Sequence, residues 1–257
     1  MKFLTAFSLA TLAVSATAAP SYKTCSSIEV RKEWRTLTKA ERKAWIDAVN
    51  CLNKVPRTGK LNPPIDTASY PDPDFQIPPQ NENSTYYDEL VYAHMNLNPV
   101  IHWTGLFLPW HRVYLHEWTN ILRSQCGYKG VAPYWAWEKD AADVEGSTIW
   151  DTDPESGLGG FSNDADDDYT LHTGALKISV AYPIPHKLRR HYIPYPFRNE
   201  NISAASTFTP AEIDKLLGKN NFTMFHGYLE QMVGMHSAVH LMMGGSGYKM
   251  SGGIAWY

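Results

Sequence analysis

The chain has 257 residues, 23 basic and 26 acidic side chains, and a formal charge of -3. Its 44% hydrophobic and 19% charged residues exclude a disordered or low-complexity chain, and its length fits one domain or two small ones with ample core. The mild acidity disfavours a broad electrostatic platform for nucleic acid. Three cysteines are too few for a disulfide-rich scaffold.

Met1 to Ala18 reads as a secretory signal. Lys2 is the basic start, Phe3 to Val14 the apolar stretch, and Ala16-Thr17-Ala18 a small-x-small cleavage site. The stretch is too short to span a membrane, and no later segment has the roughly 18 uninterrupted apolar residues a span needs. Removing Lys2 leaves 22 basic against 26 acidic side chains, a charge of -4. The N-x-S/T tripeptides at Asn83, Asn201 and Asn221 agree with export and with N-glycosylation. The mature chain, residues 19–257, is therefore expected to be secreted and to fold where disulfides persist.

Thr38-Lys-Ala-Glu41 is a capping box that opens an amphipathic helix through Trp45, Ile46, Val49 and Leu52. Pro56 to Asn83 is rich in Pro, Asn and Asp but carries Tyr70, Phe75 and Ile77, so it reads as a long ordered loop. A second helix is predicted over Tyr87 to Leu97. A third, with Pro109 in its first turn, runs to about Ser124 and stops at Gly127. Tyr128 to Phe208 shows little periodicity and reads as loops wrapped over the helices. Thr209-Pro210 caps and starts a short helix. A single long helix is predicted from Phe222 to Met243. The fold class is mainly α, one domain with long irregular connections.

The histidines then suggest a chemistry. His236 and His240 are four apart, so both imidazoles leave one helical face and can converge on one metal. His94 lies on the second helix, His102 in the following loop, and His111 at the start of the third helix. Three histidines from separate elements can enclose a catalytic metal with an open position. Imidazole ligands without thiolates or a carboxylate-rich loop disfavour calcium, magnesium and iron–sulfur clusters and suit copper or zinc. No HExxH motif supports a zinc hydrolase.

At this point the residues resemble a known family. His102, nine residues before His111 inside Phe107-Leu-Pro-Trp-His-Arg112, resembles the copper-A signature of the tyrosinase and catechol oxidase family. Cys126-Gly127-Tyr128, Pro133-Tyr-Trp-Ala-Trp137, Val30-Arg-Lys-Glu-Trp34 and Ala48-Val-Asn-Cys-Leu52 are similar to its secreted fungal branch. Leu229-Glu230, His236-x3-His240 and Gly244-Gly245 resemble the first half of its copper-B region.

The resemblance implies a helical bundle around two copper ions. His94, His102 and His111 would hold copper A, complete, and His236 and His240 would hold copper B, lacking one ligand. The family takes that last ligand from a later segment reading roughly S-P-N-D-P-x-F-x-x-H-H, which nothing here matches. The chain stops at Trp256-Tyr257, about where it would begin, so truncation is expected, and the partner of the odd cysteine among Cys25, Cys51 and Cys126 is expected in the same absent part. His172, His186, His191 and His226 are the other candidates for a sixth nitrogen. On one continuous helix, however, His226 would stand about 15 Å from His236.

The implied activity is oxidation of o-diphenols, and of monophenols less well, to o-quinones with dioxygen. The implied partners are a small phenolic substrate and dioxygen, with neither nucleic acid nor membrane. Glu230 resembles the carboxylate that, with an asparagine, holds a water near copper B; Ser237 stands in the asparagine's place. A solvated helix-face carboxylate is the alternative for Glu230. Val100 occupies the position of a cysteine that crosslinks to histidine in some members, so that crosslink cannot form there, and Thr119 replaces a frequent glutamate. His116 reads as a surface or core residue. Trp103, Trp110, Trp118, Trp135 and Trp137 read as packing around the copper helices rather than as substrate-stacking groups. A non-catalytic or single-copper secreted relative is the alternative function.

Overall fold

The computed structural model describes residues 28–61, 65–69, 71 and 76–244. The proposed signal, Cys25, Tyr70, Phe75, Gly245 and the terminal Trp256-Tyr257 lie outside the described residues. The chain divides into Met1–Val30 and Arg31–Tyr257, and every described helix and strand belongs to the second unit.

That unit is mainly helical, as expected. Helix α1 (Lys39–Leu52) begins with the capping box: Thr38 Oγ1 accepts from the Glu41 N–H, and the Glu41 carboxylate accepts from the Thr38 N–H. Helix α2 (Tyr86–Ile101) begins with a second box, built by Thr85 and Asp88. It runs four residues beyond the predicted end, carrying Pro99 inside it. Helix α3 (Phe107–Cys126) starts two residues before Pro109. The proline still sits among the first N–H groups, which have no intrahelical partner. Gly127 ends α3 in the left-handed conformation, φ 69°.

These three helices form the core. Trp45, Ile46, Val49 and Leu52 of α1 pack with Tyr87, Leu90 and Val91 of α2 and with Trp118 and Leu122 of α3. Ile46, Leu52 and Leu122 have no exposed surface, and burying each contributes about 1.5–3 kcal/mol. Trp45 meets Tyr128, and Tyr87 meets Trp118, edge to face at 5.5 Å. Cys51 and Cys126 form a disulfide that joins the last turns of α1 and α3.

Polar side chains on the helices hold the irregular segments in place. Asn50 and Asn53 each exchange two hydrogen bonds with the backbone near Ala175 to Ser179. Buried Glu89 accepts from the Thr58 and Leu61 N–H groups, and buried Asp88 from Ala181. Loop backbone dipoles are satisfied in this way with little help from strand pairing. Residues 128–208 are mostly irregular, as expected, with short 3-10 turns at Trp137–Asp140 and Thr148–Trp150. His186 and His191, within the stretch expected to be loops, stand instead in two-residue strands. Strand β1 (Ser179–Val180) pairs antiparallel with β2 (His186–Lys187), and β3 (His191–Tyr192) with β4 (Met243–Gly244).

The long fourth helix is a correction. After α4 (Pro210–Leu217), capped by Thr209 with Pro210 at its first position, the chain forms two helices, α5 (Phe222–Leu229) and α6 (Met235–Leu241). Glu230 closes α5, Gly234 opens α6, and the axis breaks between them. His226 and His236 therefore do not share a helix, and the distance inferred from a continuous helix does not apply.

Candidate metal centre

Five imidazoles arrive from three helices. His94 sits inside α2 and is buried; His102 is the residue that ends α2; His111 lies in the second turn of α3, one turn later than predicted. His236 and His240 lie one turn apart on α6. The rings of His94, His102 and His111 have centroids 5.0 to 5.1 Å apart. Their ligand atoms all lie within 4.8 Å of one another, a group that could hold a metal ion.

Local backbone geometry turns these rings inward. His111 Nδ1 lies 2.7 Å from the Phe107 carbonyl, one turn back, and His102 Nδ1 lies 3.3 Å from the Asn98 carbonyl. A carbonyl can only accept, so each Nδ1 carries the proton and each Nε2 presents a lone pair. His111 Nε2 faces His94 Nε2 at 3.0 Å, and His240 Nε2 faces His236 Nε2 at 3.1 Å. The His102 and His236 rings stack, 5.6 Å apart and 21° from parallel. Phe107, 5% exposed, touches His102, His111 and His236 and forms an apolar wall common to both groups.

Burial keeps the imidazoles neutral. It pushes His102 down to about 4, assisted by His111, and His240 down to about 4, assisted again by His111. It also lowers His94, His111 and His236. A neutral imidazole is the ligating form, so binding requires no proton to leave these groups at neutral pH. Two nitrogens about 3 Å apart can each sit about 2.0 Å from one ion. The nitrogen-only donor set suits copper or zinc, so these residues fit a histidine-held metal pair.

The remaining histidines are engaged elsewhere. His116, expected at the surface or in the core, pairs with Asn120 on an exposed face of α3. His172 pairs with Asp167 on the surface. His226 pairs with Glu230 at 2.5 Å, stacks on Phe222 and touches Phe107.

Glu230 is 3% exposed, so the solvated-face alternative is overturned. Its Oε2 accepts from the Trp103 N–H at 2.8 Å and meets His226, while its main-chain oxygen accepts from the Trp103 indole at 3.1 Å. Its Oε1 is buried without a hydrogen-bond partner among the described residues. Burial raises this carboxyl, against the opposing hydrogen bonds from Trp103 and His226. The Ser237 hydroxyl donates instead to the Gln231 carbonyl at 3.1 Å, and no hydrogen bond joins it to Glu230 among the described residues.

Trp118 is buried, and Trp135 and Trp137 pack against the core, in line with expectation. Trp110 stacks on Tyr114. Trp103 departs from it: the residue is 54% exposed and its backbone φ is 53°. The Glu230–Trp103 contact has no signal in the sequence, because the two residues meet only after folding.

Residues 84–253 match the family model described as the common central domain of tyrosinase. The chain belongs to the tyrosinase family. This tyrosinase-family chain is 37% identical to the tyrosinase-like protein phomQ1' of Diaporthe leptostromiformis over 150 residues, 58% of its own length and 33% of that protein's. It is 29% identical to the N-acetyl-6-hydroxytryptophan oxidase ivoB of Emericella nidulans, covering 92% of its own length and 73% of that relative's. Its fold is similar to that of a polyphenol oxidase (mutant G292N) from Thermothelomyces thermophila, with a TM-score of 0.59 and 22% identity over 85% of this chain and 62% of that one. The chain thus spans about a third of phomQ1' and rather more of the others. Family membership implies a dicopper site, and the fold holds a three-histidine group that could bind a metal ion. Among the described residues, no helix is long and apolar enough to cross a membrane.

Proposed function

We propose that this protein is an exported copper oxidase that converts o-diphenols to o-quinones with dioxygen. His94, His102 and His111 hold one copper in this reading, and His236 and His240 contribute to the second. The observation that carries it is the pair of facing Nε2 contacts, 3.0 Å between His94 and His111 and 3.1 Å between His236 and His240, brought together by the His102–His236 stack.

When bound, copper supplies the redox couple through which two diphenols, each losing two electrons and two protons, reduce one dioxygen to two waters. The chain's own residues orient and insulate that chemistry. The Phe107 and Asn98 carbonyls fix the tautomers of His111 and His102. The Phe107 ring excludes water from the inner wall, where a phenol ring can also pack.

Monophenol hydroxylation is expected to be weak. It needs a base that removes the phenol proton, and Ser237 directs its hydroxyl to Gln231 rather than joining Glu230 around a water. The test is oxygen consumption by the copper-loaded protein on a phenol and on its catechol. Faster catechol turnover is the expected result. Equal efficiency on both would sink the selectivity, and copper binding without catechol oxidation would sink the oxidase.

The second reading is a non-catalytic or single-copper relative. It is favoured by His236 and His240 forming a pair among the described residues, whereas three histidines group on the other side. One copper per chain at saturation, rather than two, would select it.

A further inference from the structure

We propose that Glu230 is a positioning residue, which keeps His102 in the three-histidine group by clamping Trp103. The proposal rests on the reading of His94, His102 and His111 as metal ligands.

His102 is less firmly anchored than His111. It stands at the very end of α2, where the helix gives up its regular hydrogen bonds. Its ring is tied to Asn98 by a contact of 3.3 Å, whereas the corresponding contact from His111 to Phe107 is 2.7 Å. The next residue, Trp103, has a φ of 53°, in the left-handed region that a side chain with a Cβ disfavours. That conformation turns the chain out of α2 and into the short connection to α3, where the Phe107 N–H donates to the Thr104 carbonyl. A non-glycine residue keeps such a conformation only where its surroundings enforce it.

Glu230 provides the enforcement. It takes both N–H groups of Trp103, the amide on Oε2 at 2.8 Å and the indole on its main-chain oxygen at 3.1 Å. Oε2 is itself held by His226 Nε2 at 2.5 Å, one helical turn back. The result is a strap from α5, through a buried carboxylate, to the residue joined covalently to His102. It also accounts for Trp103 being half exposed, since the indole is held by its N–H rather than by packing. The strap acts on ligand geometry and touches neither substrate nor metal. It differs from the water-holding role that the family resemblance implies for Glu230.

The test uses zinc and cupric ions, each titrated into the metal-free full chain against a chromophoric chelator. Glu230→Ala should weaken zinc binding about ten- to a hundredfold, the usual effect of losing a group that orients a ligand. Glu230→Gln keeps an acceptor for the Trp103 amide and should recover most of that loss. Trp103→Phe loses only the indole bond and should weaken zinc binding by about threefold or more. With one equivalent of copper, the electron paramagnetic resonance spectrum of Glu230→Ala should move toward that of His102→Ala, which a purely structural role would not produce. Folded Glu230→Ala with wild-type zinc affinity and an unchanged copper spectrum would overturn the clamp alone. If Glu230→Ala does not fold, wild-type zinc affinity in Trp103→Phe would overturn it instead. A wild-type chain that binds neither ion would overturn both the clamp and the metal site beneath it.

Discussion

The imidazole of His102 lies face to face with that of His236, although one closes α2 and the other belongs to the first turn of α6. The two histidine groups thus share a boundary of stacked rings. They remain separate in their nitrogen contacts, since His94 faces His111 and His236 faces His240.

Single substitutions should therefore remove copper in an ordered way. His94→Ala or His111→Ala is expected to lower copper to about half the wild-type content and to abolish diphenol oxidation. His240→Ala should do the same from the other side while leaving His94, His102 and His111 able to bind. Metal analysis on desalted protein, with circular dichroism as the folding control, gives the readout. Undiminished copper in His111→Ala would contradict the assignment.

The Cys51–Cys126 bridge closes a loop with a sequence separation of 75 residues. For a loop of that size, the chain-entropy relation gives about 4 kcal/mol of stabilisation. The double substitution Cys51→Ser/Cys126→Ser should shift the urea midpoint down by a corresponding amount, because α1 and α3 still pack but no bridge constrains the unfolded chain. A midpoint unchanged by the substitution would contradict this.

Gly127 isolates a backbone effect. A Cβ added there meets nothing within 4 Å, so crowding contributes no cost. The cost comes from its φ of 69°, and Gly127→Ala should destabilise the fold by about 1–2 kcal/mol. Gly127→Asn should cost less, because asparagine tolerates the left-handed region. Denaturant unfolding of the two variants checks the ranking.

Acid should weaken the start of α1. The Lys32 ammonium and then the Thr38 N–H hold the Glu41 carboxyl down at about 2, below its ordinary 4.5. A depressed carboxyl pKa contributes stability that is present above pH 4.5 and lost as the pH falls toward 2. Glu41→Gln should therefore lower the melting temperature at pH 7 and have little effect at pH 2. Both groups are exposed, so the difference should shrink in high salt. An equal penalty at both pH values would rule out the electrostatic origin.

Much of the fold was legible where a single local interaction decides the outcome. Thr38 with Glu41, Thr209 with Pro210, and Gly127 each mark a helix boundary within one turn of chain, and each stands where the sequence places it. The Thr85–Asp88 box uses the same pattern with the shorter acid, so its signal was present as well. The break between α5 and α6 was not legible. Apolar residues continue across it through Tyr228, Leu229, Met232, Val233 and Met235, so periodicity alone extends the helix. At the break Glu230 is held by Trp103, a partner distant in sequence. The convergence of the histidines was legible because their residue type and spacing together carry the family resemblance. The partners that orient the imidazoles were less so, because they are backbone carbonyls or residues far away in sequence.

The spacing of the histidines along the chain also bears on how the centre assembles. His94, His102 and His111 lie on two consecutive helices joined by a short turn, so their convergence requires little more than an α-hairpin. His236 and His240 lie beyond the long irregular stretch from Tyr128 to Phe208, on the helix just before β4, which pairs with β3. Loop-closure entropy rises with the length of chain enclosed, so contacts distant in sequence form late. The three-histidine group is thus built from contacts local in sequence, whereas the second pair joins it only through contacts between distant parts of the chain.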